Sequence, residues 1–153
     1  MPKIDIGAAL TRTGSGYPAP YDEPCKARRR QKLGDAAGLT QFGVNLLTLA
    51  PGVWSSQRHW HSKEDEFVWV VEGEVILIDD EGEHVLRAGD CAGFRSGDPN
   101  GHHLVNRSDR DAKVLEVGTR LPDGSEFVDY PDVDMVLLEG SDRTHHRDGT
   151  PYD

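Results

Sequence analysis

Seven histidines occur in the 153-residue chain, and two of them, His59 and His61, sit one residue apart inside a β-compatible stretch, VWSSQRHWH. Side chains at i and i+2 of a strand point to the same side, with Cα atoms roughly 6.5 Å apart, close enough to share one ion. Glu66 follows five residues after His61, an odd step that an unbroken strand sends to the opposite face. The polar stretch Ser62-Lys63-Glu64-Asp65 must therefore hold a turn or bulge if Glu66 is to aim at the same ion. Past that break Glu66 shares a face with Val68 and Val70, and a carboxylate buried beside aliphatic side chains is costly unless it is paired or metal-bound. Two imidazoles and a carboxylate are a donor set for a transition metal. The plainer alternative is an exposed polar strand that happens to carry two imidazoles.

The elements that position these residues read as β throughout. Residues 1–39 hold Gly14, Gly16, Pro18, Pro20 and Pro24 among polar residues without a sustained period, and predict an extended arm, with a short helical turn within 26–32. From Leu39 the character changes. TQFGVNLLTL is a strand, Pro51-Gly52 a turn, and VWSSQRHWH the next strand. EFVWVV, beginning at Glu66, is an almost unbroken β-branched and aromatic run, which predicts a strand covered on both faces. EVILID, HVLR, CAGF, HHLVN, AKVLEVGTR and VDMVLLE follow, separated by turn residues at about the 8–12 residue spacing of all-β sandwiches and barrels. The expected organisation is an arm over 1–39, a barrel over 40–140, and a polar tail over 141–153 that is disordered or folded against a neighbour.

The stretch Gly52-VWSSQR-His59-W-His61-SKED-Glu66-FVWVVE-Gly73 resembles the first motif of the cupin superfamily, with six residues between Gly52 and His59 where five are usual. Gly89-DCAGF-Arg95-S-Gly97-DPNG-His102-HLV-Asn106 resembles the second, with Arg95 in place of the usual proline and four residues, rather than two, before the histidine. The resemblance, to small single-domain bacterial cupins, covers about residues 40–120. It implies a double-stranded β-helix, or jelly-roll barrel, holding one divalent transition metal ion (Fe, Mn, Ni, Zn or Co) on His59, His61, Glu66 and His102. His103 stays as the alternative ligand, because a one-residue slip in the preceding loop would exchange the faces of the pair. Three histidines and a carboxylate leave one or two positions open on a six-coordinate ion, as a working site requires.

Gln57 has the parity of His59, which makes it a candidate catalytic group in the cavity, with a plain buried hydrogen-bonding role as the alternative. The reaction is not readable. The expectation is an enzyme, an isomerase, dioxygenase or lyase, acting on a small carboxylate, carbonyl or sugar-like molecule. The alternatives are a non-catalytic binding or regulatory module and a vestigial barrel with no exchangeable metal waters. The resemblance also implies a homodimer.

Bulk composition narrows the partners. With 17 Lys and Arg against 27 Asp and Glu the net charge is -10, which repels nucleic acid and anionic membrane surfaces. The basic cluster of Lys26, Arg28, Arg29, Arg30 and Lys32 reads as a solvated face rather than a nucleic-acid or subunit contact. Cys25 and Cys91 read as reduced thiols. With no apolar leader and no apolar run of membrane-spanning length, a cytoplasmic location is expected. His84, His145 and His146 read as solvated, and Trp54, Trp60 and Trp69 as core and interface residues, with Trp60 pointing away from the ion.

Overall fold

A computed structural model describes residues 2–153. The chain is all-β. Its strands are β1 (Thr11–Thr13), β2 (Arg29–Lys32), β3 (Phe42–Leu49), β4 (Trp60–His61), β5 (Glu66–Glu72), β6 (Glu74–Asp79), β7 (Gly82–Arg87), β8 (Cys91–Phe94), β9 (His103–Val105), β10 (Ala112–Thr119), β11 (Val128–Tyr130), β12 (Met135–Leu137) and β13 (Thr144–His145), with one short α-helix, α1 (Leu33–Ala36), and two single 3₁₀ turns, Ile6–Ala8 and Glu23–Cys25. They form antiparallel sheets ordered β1-β2-β3-β10-β5-β8, β13-β12-β11-β4 and β7-β6-β9. No helix among the described residues is long and apolar enough to cross a membrane.

Period-2 alternation builds the core. Leu47 and Leu49 of β3, Val68 and Val70 of β5, and Val114 of β10 meet Val75 and Leu77 of β6 and Leu104 of β9, so the first and third sheets pack face to face. A second cluster joins Val128, Tyr130 and Met135 to Tyr17, Tyr21 and Tyr152. It fastens both ends of the chain to the third side of the barrel.

Those ends differ from the expected arm and tail. β2 pairs with β3 from Arg29↔Thr48 to Lys32↔Asn45, β1 pairs with β2, and β13 pairs with β12. The strand at Arg29–Lys32 escapes hydrophobic-pattern reading because its inward residues are charged. Arg30 faces Glu116 of β10 and makes two hydrogen bonds to its carboxylate, at 2.8 and 3.2 Å. The expected helical turn within 26–32 is this strand, and α1 follows it directly.

The strand β5 also differs from expectation. Val68 and Val70 are buried, but Phe67, Trp69 and Val71 are 38%, 49% and 54% exposed, so only one of its faces is covered within the chain. The stretch 53–61 is not one continuous strand either. Trp54 bridges Val105, His59 bridges His102, and the residues between them bend. There the Ser55 hydroxyl accepts the Leu104 N–H at 2.8 Å, replacing a ladder bond. That bend accommodates the extra residue between Gly52 and His59.

Gly73, at the β5–β6 turn, has φ +80°, and a Cβ there would lie 2.8 Å from the Asp111 carbonyl oxygen and 3.0 Å from Ala112 Cα. Gly82 also has positive φ, +125°, but open space around its Cα. Both Ala variants carry backbone strain, and only Gly73→Ala adds overlap, so it is expected to be the less stable by about 1–3 kcal/mol. Urea unfolding checks this, and equal midpoints for the two variants would show that the 111–112 backbone yields.

Candidate metal centre

The bend at 62–65 turns the chain as the sequence requires, and β5 begins at Glu66 with its carboxylate on the Val68–Val70 side. Three imidazoles then converge on a single carboxylate oxygen. Glu66 Oε1 lies 2.9 Å from His61 Nε2, 3.1 Å from His102 Nε2 and 3.4 Å from His59 Nε2. Ligand atoms of His59, His61 and Glu66 all stand within 4.8 Å of one another, while His102 joins the group through Glu66. With metal–ligand bonds of about 2.1 Å, adjacent ligand atoms of an octahedron stand about 3 Å apart. The three separations from Glu66 are of that size.

The proton positions make the case for a cation. His59 Nδ1 is 2.9 Å from the Gln57 carbonyl oxygen, which can only accept, so the proton of a neutral ring sits on Nδ1 and the Nε2 lone pair faces Glu66. His61 Nδ1 likewise faces carboxylates, Glu126 at 3.3 Å and Glu64 at 3.8 Å. With the rings neutral, their Nε2 lone pairs and those of the carboxylate point at one another. A divalent ion between them would resolve that arrangement, and Glu126 stands near His61 Nδ1, although that buried nitrogen makes no hydrogen bond.

Without an ion, charge does part of the same work. Burial would raise the Glu66 carboxyl, but His102, His59 and His61 hold it well below the usual carboxylate range. Burial would lower His61, and Glu66, Glu126 and Glu64 outweigh it, leaving the ring above its ordinary value. His102 is lowered by burial, against the opposing pull of Glu66.

His102 stacks on Phe94 with ring centroids 3.5 Å apart. His103 turns the other way, places Nδ1 at 2.9 Å from the Ser56 carbonyl and packs edge-on against Trp54. Asn106, fully buried, donates to the Leu49 and Arg110 carbonyls and accepts from Ser108, pinning the strand that carries His102. Gln57 is buried and donates to the Tyr21 carbonyl at 2.8 Å, which is the buried hydrogen-bonding role. Trp60 donates from Nε1 to Asp129 at 3.1 Å.

The cluster lies in the wall of a cavity of about 470 Å³, within the usual range of about 300–1,000 Å³ for small-ligand pockets. Its wall includes Tyr17, Tyr130, Glu64, Glu116 and Arg30, none of which sequence reasoning assigned to the site. Glu64 was legible only as part of a polar turn, and Tyr17 and Tyr130 carried no local signal. Burial raises both phenols, so they stay protonated and able to donate to a ligand oxygen.

Comparison with known proteins places these observations. A family model described as Cupin domain matches residues 45–118. A crystal structure of a sugar phosphate isomerase from the cupin superfamily of Silicibacter pomeroyi is 46% identical, over 99% of this chain and 96% of that one, with a TM-score of 0.91. A structure from Acidithiobacillus ferrooxidans, carrying the sugar phosphate isomerase designation in provisional form, is 31% identical over 75% of this chain and 73% of that one, with a TM-score of 0.70. An oxalate decarboxylase-like protein of Thermotoga maritima, at 20% identity and TM-score 0.60 over 78% of this chain and 99% of that one, shares the fold. No curated protein matches the chain.

The depressed Glu66 stabilises above the ordinary glutamate value of about 4.3 and loses that contribution as pH falls through its folded value. The raised His61 stabilises below about 6.5 and loses it as pH rises through its folded value. In metal-stripped protein the melting temperature of wild type should therefore exceed that of Glu66→Gln most between about pH 4.3 and 6.5, and less on either side. A gap that stays constant across that range and beyond would contradict the pairing.

Proposed function

The chain belongs to the cupin superfamily, and on that premise we propose that it is a metal-dependent enzyme that isomerises a sugar phosphate. The observation that carries the metal is the convergence of three imidazole nitrogens on Glu66 Oε1 at the edge of an open cavity. One divalent transition metal ion per subunit, Fe, Mn, Ni, Zn or Co, would be held by His59, His61, Glu66 and His102. The isomerase assignment is supported by the 46% identity, over nearly the full length, to a protein described with that activity.

Bound there, such an ion supplies Lewis-acid polarisation of a substrate carbonyl or hydroxyl oxygen. The protein's own groups bind and orient. Tyr17 and Tyr130, kept protonated by burial, donate to sugar oxygens. Val68, Phe94 and Leu104 give the cavity an apolar floor that excludes water from the reacting carbons. Aldose–ketose interconversion moves hydrogen between neighbouring carbons and consumes no co-reactant.

We also infer a homodimer, formed by the outer face of the six-stranded sheet against a second copy. Phe67, Trp69 and Val71 lie there, beside Phe42, itself 42% exposed. An exposed apolar face of this kind marks an interaction site. The net charge of -10 keeps nucleic acid off the partner list, and the unpaired Cys25 and Cys91 suit a reducing, cytoplasmic setting.

His61→Ala, Glu66→Gln and His102→Ala should each lose bound metal and sugar-phosphate interconversion, whereas His103→Ala should keep its metal. Metal analysis of protein purified without a chelating tag tests this, and wild-type stoichiometry in the first three variants would sink the assignment. Full metal with tight sugar-phosphate binding but no conversion under any of the five metals would instead make the protein a binding module. Sedimentation should give a dimer that Trp69→Glu shifts to monomer with metal content intact, and a wild-type monomer at micromolar concentration would remove the dimer.

A further inference from the structure

The basic residues that the sequence leaves as a solvated face do not all face solvent. A second cavity, of about 360 Å³, is lined by Arg12, Arg28, Arg30, Lys32, Arg120 and Arg143, with Asp142 as its one acidic residue. Six of the chain's 17 Lys and Arg thus gather on one wall of a protein whose net charge is -10. Tyr17, Arg28, Arg30, Asn45 and Arg120 line both this cavity and the one that holds the histidines, so the two adjoin.

The placement follows from strand pairing. Arg12 of β1 lies directly opposite Arg30 of β2 in the register, on the same face. Like charges directly opposite on paired strands repel and destabilise the pair. Glu116 offsets Arg30, taking its Nε and one terminal nitrogen. Arg120 bonds Asp35 at 2.8 Å, and Arg28 is spent on the Gly14 and Ser55 carbonyls. Lys32 and Arg143 have only loose partners, Asp35 at 3.8 Å and Asp142 at 3.9 Å. Arg12 makes no ion pair among the described residues. Counting Glu116, Asp35 and Asp142, cations outnumber anions on this wall by two to one. A dianion bound between Arg12, Lys32 and Arg143 removes the repulsion and uses the forked donors that arginine offers to phosphate.

We propose that Arg12, Lys32 and Arg143, backed by Arg30 and Arg120, form an anion subsite that takes the phosphate monoester of the substrate while its sugar end reaches the histidine cluster. This rests on the sugar-phosphate reading and adds the residues that select the phosphate. It also gives a role to the basic strand at 29–32: β2 presents cations to the cavity mouth from its inward positions, Arg30 and Lys32, and leaves Arg29 and Gln31 outside.

Calorimetric titration with inorganic phosphate tests the subsite, carried out on metal-stripped full-length protein so that phosphate on an ion does not contribute. Wild type should bind, and Arg12→Gln/Arg143→Gln should bind about tenfold more weakly or worse, the scale of a lost charge-assisted hydrogen bond. Both side chains sit at the surface of the mouth, so the double variant should keep its fold and metal content, checked by circular dichroism and metal analysis. With metal-loaded protein, KM for a panel of aldose and ketose phosphates should rise in the variant far more than kcat falls. Equal phosphate affinity in wild type and double variant overturns the subsite, as does conversion of unphosphorylated sugars as efficient as that of their phosphates, and either result leaves the metal-dependent chemistry standing. Phosphate-dependent binding through these cations with no conversion of any sugar would instead overturn the isomerase reading and support the subsite.

Discussion

An ionised carboxylate held among three imidazole nitrogens, inside a wall that also has to exclude water, is the arrangement on which the rest of the structure depends. Desolvation penalises Glu66, and its neighbours offset the penalty only if their Nε2 atoms are held within a few tenths of an ångström. Each ligand therefore has its own support. His59 is fixed by the Gln57 carbonyl and His102 by the ring of Phe94, and the carboxylates of Glu126 and Glu64 stand behind His61. The four clustered side chains themselves sit on β4, β5 and the His59–His102 bridge rather than on free loops, which is what positional precision at such a site demands.

The same requirement explains the two places where the barrel departs from regular strands. The bend after Trp54 and the bend at 62–65 shift register so that residues an odd number of positions apart reach one point. Arg58, within the first bend, is drawn outward to Asp80 and Asp132, and also donates to the Gly101 carbonyl next to His102. An exposed ion-pair network on the outside thereby braces the backbone on either side of the His59–His102 bridge.

The ligand strands were legible in the sequence because strand parity is a strict rule. His59 and His61 share a face by spacing alone, and the odd step to Glu66 demanded the break that the polar 62–65 stretch provides. His102 and His103 could be separated only through the family pattern, since the inserted loop could have slipped the register. What the sequence hid was long-range and polar. Arg30 meets Glu116 across 86 positions, and Glu126 meets His61 across 65, with no local pattern to announce either. The ends were misjudged for the same reason, because a strand whose inward residues are charged carries no hydrophobic alternation. The outer face of β5 was misjudged in the opposite direction: its apolar residues implied cover that the single chain does not supply.

The pairing of β2 with β3 divides the molecule in a way that bears on how such a barrel diversifies. All four residues of the histidine–carboxylate cluster fall within 45–118, whereas Arg12, Arg30, Lys32 and Arg143 at the cavity mouth come from the two flanking segments. On the proposed reading, the metal ligands and the phosphate-binding cations come from separate stretches of sequence, joined by the β2–β3 ladder and by side-chain contacts such as Arg30–Glu116. Arg12 of β1 and Arg143, just before β13, lie on no strand paired with one that carries a clustered histidine, so they can vary without disturbing the ladders that hold the histidines. A lineage could then change which molecules it admits while the histidine–carboxylate cluster in the cavity wall is inherited intact.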